Sequence, residues 1–231
     1  MVDPRGTMLN VESGADDIRY RIKRDNQIIY VHVLKPDIIP EDKRTCDKDV
    51  VRPHSVPAHY LMHHPFVDIS ALTVIHESKY RTSEVSHNGQ TSFLKIARFP
   101  DELKWIIQEI QAYHALSGSS LVSKLLAYIS ESLCADRIIG FLVEKVNGRR
   151  AELEDLESCE NALDQLHASL VHGDLCKYNI FITDEGPNFI DLEDSVLVGT
   201  DAWSDELKQK ERQGLASKLA DTSGLGRPWE C

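Results

Sequence analysis

Residues 171–194 read VHGDLCKYNIFITDEGPNFIDLED and hold the chain's clearest chemistry. Phosphoryl transfer from a metal-bound nucleotide needs a carboxylate to orient or deprotonate the attacking hydroxyl. It also needs an amide and a second carboxylate to hold metal ions on the phosphates. Asp174 is followed five residues later by Asn179, one loop turn away, so both can face one cavity. Ile180–Ile182 reads as a strand, Asp184-Glu185-Gly186 as a turn and Phe189-Ile190 as the returning strand, a hairpin that brings Asp191 back beside Asn179. Scattered acids on a solvated turn are the plain alternative, but four roles fall here in order within an apolar strand frame.

The segment resembles the catalytic centre of the protein-kinase-like superfamily. It looks most like the aminoglycoside and choline phosphotransferase branch, which carries His-Gly-Asp-x-x-x-x-Asn and then Ile-Asp. The resemblance implies an α+β, two-lobe kinase-like fold with a small antiparallel-sheet N-lobe and a reduced, mainly helical C-lobe. It also implies Asp174 as catalytic base, His172 as the brace of the catalytic loop, and Asn179 and Asp191 as magnesium ligands.

Elements upstream must position these groups. His87-Asn88-Gly89-Gln90 between alternating segments is a hairpin signal, within three strands expected over residues 71–97. Lys95 lies in the last strand, in Phe93-Leu94-Lys95-Ile96-Ala97; alone, it would read as an outward lysine on a half-exposed sheet. Pro100-Asp101 opens a helix that Gly118 closes, and Leu103, Ile106, Ile107 and Ile110 give it an apolar face. Glu109 lies beside that face, and in kinase-like folds such a glutamate pairs with the strand lysine and aims it at the phosphates. Glu102, in the helix's first turn, is the competitor and is explained by the helix dipole alone. By resemblance, Glu144 to Val146 forms an inter-lobe hinge whose backbone groups hydrogen-bond adenine. A further helix is expected over Glu152–Ser169, with Leu170 continuing its apolar face; His167 reads as a packing or loop-bracing residue. Another helix is expected from Asp205 to Ala220.

Bulk properties restrict the partners. A 231-residue chain fits one large domain or two small lobes around a cleft. A net charge of −11 disfavours nucleic acid, which requires clustered Lys and Arg. Five cysteines with no CxxC, and no apolar run long enough for a signal or a membrane span, predict a reduced, soluble, cytoplasmic protein without a membrane partner. Cys176 in the catalytic loop reads as a small packing residue, with a reactive thiol as the alternative. Residues 1–16 are polar and expected to fray, and 17–34 to form a hairpin turning at Asp25-Asn26. Residues 35–66, with five prolines and with His54, His59, His63 and His64, are expected to form a long loop without a zinc site. The expected division is an extension over 1–69, an N-lobe over 70–143, and a hinge with C-lobe over 144–231.

The pattern departs from ordinary protein kinases. His76-Glu77-Ser78-Lys79-Tyr80 stands where a glycine-rich loop is usual, Cys176 replaces a lysine, and Asp191-Leu192-Glu193 replaces Asp-Phe-Gly. Glu193 is expected to be a surface carboxylate, with the metal shell as its alternative. The expected activity is an ATP- and Mg2+-dependent phosphotransferase acting on a hydroxyl, with a small-molecule acceptor preferred. The alternatives are an atypical Ser/Thr protein kinase and a nucleotide-binding pseudokinase or scaffold. The 40 residues after Asp191 leave little for a substrate platform, so the acceptor site is expected from the N-terminal 70 residues, from a protein partner, or not at all. The overall pattern also resembles short fungal kinase-like proteins of unassigned substrate.

Overall fold

The computed structural model describes residues 6–14, 17–24, 27–34, 54–131, 137–224 and 226–228. Its central element is a six-stranded sheet of order β4-β8-β9-β7-β6-β5. The strands are β4 (Phe66–Asp68), β5 (Thr73–Lys79), β6 (Thr82–His87), β7 (Gln90–Ile96), β8 (Leu125–Ser130) and β9 (Ile138–Glu144). Only the β4–β8 pair is parallel. The β6–β7 hairpin closes at Asn88 (φ 49°) and Gly89 (φ 80°), the left-handed pair that a two-residue turn between twisted strands requires.

Strand alternation gives this sheet two unlike faces. Leu94 of β7 joins Val85, Ala127, Ile129 and Ile139 in one buried cluster. Phe93 and Lys95 point the other way, toward the larger core shared with helix α1 (Leu103–Ala115). There Ile106 and Ile110 of α1 lie buried, and Tyr113 meets Phe141 edge to face at 5.7 Å. Complete burial of a side chain such as Ile110 contributes about 1.5–3 kcal/mol. Gly140 permits the approach of β9 to β7 at the lysine, since a Cβ there would lie 2.0 Å from the Lys95 carbonyl.

The same core continues into the second half of the chain. Strand β10 (Arg149–Arg150) pairs with the hairpin β12 (Ile180–Thr183) and β13 (Gly186–Phe189), while β11 (Leu170–Val171) pairs with β14 (Val196–Leu197). Helix α2 (Leu156–Leu166) contributes Cys159, Leu163 and Leu166, and α3 (Asp205–Leu219) contributes Leu215 and Leu219. Among the described residues no helix is long and apolar enough to cross a membrane.

Several expectations are corrected. The start of the chain is not wholly frayed: β1 (Thr7–Ser13) pairs with β2 (Asp17–Arg24), which pairs with β3 (Gln27–Leu34), because β2 offers its free edge to β1. The first of the three strands, expected over Leu72–Ile75, instead spans Thr73–Lys79, since pairing with β6 carries it to a two-residue turn at Tyr80-Arg81. Helix α2 ends at Leu166, and Leu170 is a strand residue, because the chain must turn before the catalytic loop. The loop segment contains a 3-10 turn at Ala58–Tyr60 and runs into the first residue of β4. The Asp25-Asn26 turn, residues 35–53, and Cys46, Cys134 and Cys231 lie outside the described residues.

A buried ionic knot fastens the N-terminal sheet to the six-stranded one. Glu131, fully buried, receives Arg21 of β2, Arg137 at 2.9 Å and the Tyr30 hydroxyl of β3 at 2.6 Å. Arg137 also donates to Tyr30 Oη at 2.6 Å and to the His54 carbonyl at 3.0 Å. Two guanidiniums on one buried carboxylate are tolerable only while it is ionised. Glu131→Ala is therefore expected to destabilise the protein by about 3–5 kcal/mol in chemical denaturation, and Tyr30→Phe by about 1 kcal/mol; equal effects of the two changes would contradict the knot.

Candidate active site

Lys95, Glu109 and Asp191 meet in one buried ionic cluster. Lys95 Nζ donates to Glu109 Oε1 at 2.8 Å and Oε2 at 2.7 Å, and to Asp191 Oδ1 at 2.5 Å. Lys95 is brought there by strand alternation on β7, and Glu109 by the face of α1 that carries Ile106 and Ile110. Asp191 follows the β12–β13 hairpin at φ 65°, a left-handed conformation unusual for a residue with a side chain and characteristic of functional positions. Glu109 Oε1 also accepts the Leu192 N–H at 3.3 Å, tying α1 to the segment after Asp191.

Burial and charge oppose each other in this cluster. Burial disfavours the Lys95 ammonium, but Asp191 and Glu109 outweigh it and raise its pKa above that of a free lysine. Burial likewise opposes the Asp191 charge, yet Lys95 and Lys79 hold its carboxyl well below the usual range. Burial raises the Glu109 carboxyl to about 7 against the pull of Lys95. The cluster therefore presents a fixed cation and an ionised carboxylate at the edge of a cleft.

That cleft encloses about 770 Å³, counting the open solvent at its mouth. Glu144 and Val146 line it, as do Lys95, Asn179 and Asp191. Phe93, Val143, Phe181 and Ile190 supply apolar walls. The Glu144 N–H is already bonded to the Lys124 carbonyl at 2.9 Å, so the backbone group it can offer a ligand is its carbonyl. Hard oxygen donors from an amide and an ionised carboxylate suit Mg2+. Asn179 and Asp191 supply them, and the Ile190 N–H bonds the Asn179 carbonyl at 3.0 Å.

The loop that carries Asp174 is held from beneath. Asp174 is exposed and does not line the cleft, while its carbonyl accepts from Asn179 Nδ2 at 2.9 Å. His172 is fully buried and its Nε2 donates to the Ile190 carbonyl at 2.9 Å, so its position is that of a brace rather than of a group facing substrate. Gly173 has φ 87°, and a Cβ there would lie 2.0 Å from the Asp194 carbonyl. The Cys176 thiol is buried and pushed up by that burial, as an inert packing residue should be.

Sequence reasoning missed three residues here. Lys79 Nζ donates to Asp191 Oδ2 at 2.7 Å. Arg81 bonds Glu193 at 2.7 Å, so Glu193 is a half-buried, paired group and not a surface carboxylate. Glu211 of α3 accepts from His167 Nε2 at 2.8 Å, the His172 N–H at 3.0 Å and the Gly173 N–H at 2.8 Å. The signal for Glu211 was its place four residues before Leu215 and eight before Leu219, a carboxylate on the buried stripe of a helix. Of the loop histidines, His54 bonds the Ala97 carbonyl, His59 lies beside Tyr60, and His64 meets Tyr128.

Glu211→Ala would leave two loop N–H groups and His167 without their acceptor. The expected loss is about 2–4 kcal/mol near neutral pH. Burial opposes the Glu211 charge, but His167 and the two N–H donors hold its carboxyl below the usual range. Its contribution is thus complete above the ordinary value of about 4.3 and fades as pH falls through the folded-state value. Denaturation curves of the two proteins should converge on acidification; a gap independent of pH would contradict this role.

A family model described as the RIO domain matches residues 76–210, more than half of the chain. That range spans β5 to the start of α3 and contains Lys95, Glu109, Asp174, Asn179 and Asp191. The RIO domain is an atypical protein-kinase-like family, so the superfamily assignment stands and the aminoglycoside and choline phosphotransferase branch is replaced. With its α+β kinase-like fold and this match, the chain belongs to the RIO domain family of kinase-like phosphotransferases.

Proposed function

We propose that the protein is an ATP- and Mg2+-dependent kinase that transfers the γ-phosphoryl group to a Ser or Thr hydroxyl of a protein. The observation that carries this reading is the buried Lys95–Glu109–Asp191 cluster, set in a cleft that also receives Asn179, Glu144 and Val146. The preference for a protein acceptor rests on the family; the small-molecule preference loses its support together with the phosphotransferase branch.

In this reading the adenine lies between Phe93, Val143 and Phe181, with its polar edge on the backbone of Glu144 and Val146. Lys95, oriented by Glu109, would contact the phosphates, and Asn179 and Asp191 would hold magnesium, which would supply neutralisation of phosphate charge. Asp174 accepts the proton of the attacking hydroxyl as its oxygen bonds to the γ-phosphorus and the bond to the bridging oxygen breaks, releasing ADP. His172 and Glu211 act through the loop that carries Asp174. Residues 70–143 serve as the N-lobe, to whose sheet the 1–69 extension adds β4, and 144–231 as hinge with C-lobe.

The test is transfer from γ-labelled ATP to the protein itself and to mixed Ser/Thr peptides, followed by phosphoamino-acid analysis. Asp174→Ala is expected to lower turnover by about 10²–10⁴-fold while Mg·ATP still binds, because a general base acts on the acceptor. Asp191→Ala is expected to lose both transfer and metal-dependent binding. Undiminished transfer by Asp174→Ala would remove the base assignment, and label recovered only on small metabolites would remove the protein acceptor.

A further inference from the structure

Asp191 carries two ammonium groups, one on each oxygen. Lys95 takes Oδ1 at 2.5 Å and Lys79 takes Oδ2 at 2.7 Å. The two lysines are unlike. Lys95 is held by both oxygens of Glu109 and its side chain is 8% exposed. The Lys79 side chain is 37% exposed and stands at the end of β5, beside the tight Tyr80-Arg81 turn. A divalent cation seeking Asp191 thus meets a carboxylate already saturated with positive charge. Bringing two more charges within a few ångströms of both ammonium groups is strongly repulsive unless one of them moves.

The turn itself shows which one can. It contains no glycine, so its side chains keep the backbone from cradling phosphates closely, and Ser78, Lys79 and Thr82 are the groups it presents to the cleft. Its far side is pinned: Arg81 pairs with Glu193 at 2.7 Å and lies over the Trp105 ring at 4.4 Å. The backbone of the turn is therefore anchored to α1 and to the segment after Asp191, while the four-carbon stem of Lys79 is free to rotate.

We propose that Lys79 is a tethered cation that occupies the Asp191 carboxylate when the cleft holds no nucleotide. It passes to the nucleotide's phosphate oxygens when a divalent metal takes that carboxylate. The proposal rests on the phosphotransferase reading above and adds to it a coupling. Metal alone must displace an ammonium with no phosphate to receive it, and nucleotide alone leaves Asp191 facing its phosphates. Each ligand therefore raises the affinity of the other, by the same factor in both directions.

The test uses the 231-residue chain and measures Mn2+ binding by electron paramagnetic resonance without nucleotide, then the affinity for a non-hydrolysable ATP analogue with and without Mg2+. In Lys79→Met, Mn2+ alone is expected to bind roughly tenfold more tightly, and the analogue with Mg2+ roughly tenfold more weakly, as the loss of one charge-assisted contact on each side implies. Lys79→Arg, which keeps the cation, is expected to preserve the coupling. If Lys79→Met binds Mn2+ no better than the wild type, or binds the analogue equally well, the role of Lys79 is overturned while the kinase reading survives. If the wild type itself fails to bind the analogue with Mg2+, the kinase reading fails first, and the role of Lys79 with it.

Discussion

A lysine buried among carboxylates is the interaction on which the rest of this structure depends. Lys95 sits on the core side of a central strand, where an unpaired ammonium would be very costly to bury. Glu109 makes that position tolerable, but only if α1 lies against β7 and β9 in one rotational setting. The packing of Ile106, Ile110 and Tyr113 beneath the sheet supplies that setting. Asp191 then closes the cluster from the second half of the chain, so the sheet, α1 and the β12–β13 hairpin are held together by one set of charges as well as by one apolar core.

The catalytic loop obeys a related constraint. Its backbone presents Asp174 to solvent while its N–H groups must remain satisfied, and among the described residues no strand runs beside Gly173 to accept them. Glu211 reaches in from α3 to do so, and His172 ties the loop to Ile190, one residue before Asp191. The loop that carries Asp174, the segment before Asp191 and α3 are therefore mechanically joined.

Local signals in the sequence were read correctly where the physics is local. Asn88-Gly89 marked a hairpin because two left-handed residues are needed there. The apolar spacing from Leu103 to Ile110 marked α1, and the spacing of Asp174, Asn179 and Asp191 marked the loop and hairpin. Features that depend on contacts distant in the chain escaped. Strand β4 has three residues and exists through parallel pairing with β8, about sixty positions away. Strand β1 exposes Met8, Leu9 and Val11 and forms because β2 offers it an edge. Lys79 carried no signal and Glu193 looked like a surface carboxylate because their partners, Asp191 and Arg81, lie 112 positions away in each case. The family branch was misjudged for a different reason: the loop motif is shared among branches, and the matched RIO domain extends over many elements that the motif does not contain.

The most direct test of the account is a thermal unfolding titration of the intact chain with ATP, with MgCl2, and with both. Ligand that binds the native state raises the unfolding midpoint in proportion to the logarithm of its saturation. With Asp191 and Asn179 proposed to share a metal with the phosphates that Lys95 is proposed to contact, the account predicts a clear rise with ATP and Mg2+ together and a much smaller one with either alone. No rise with both at millimolar concentration, or a rise with ATP that Mg2+ does not enlarge, would contradict it.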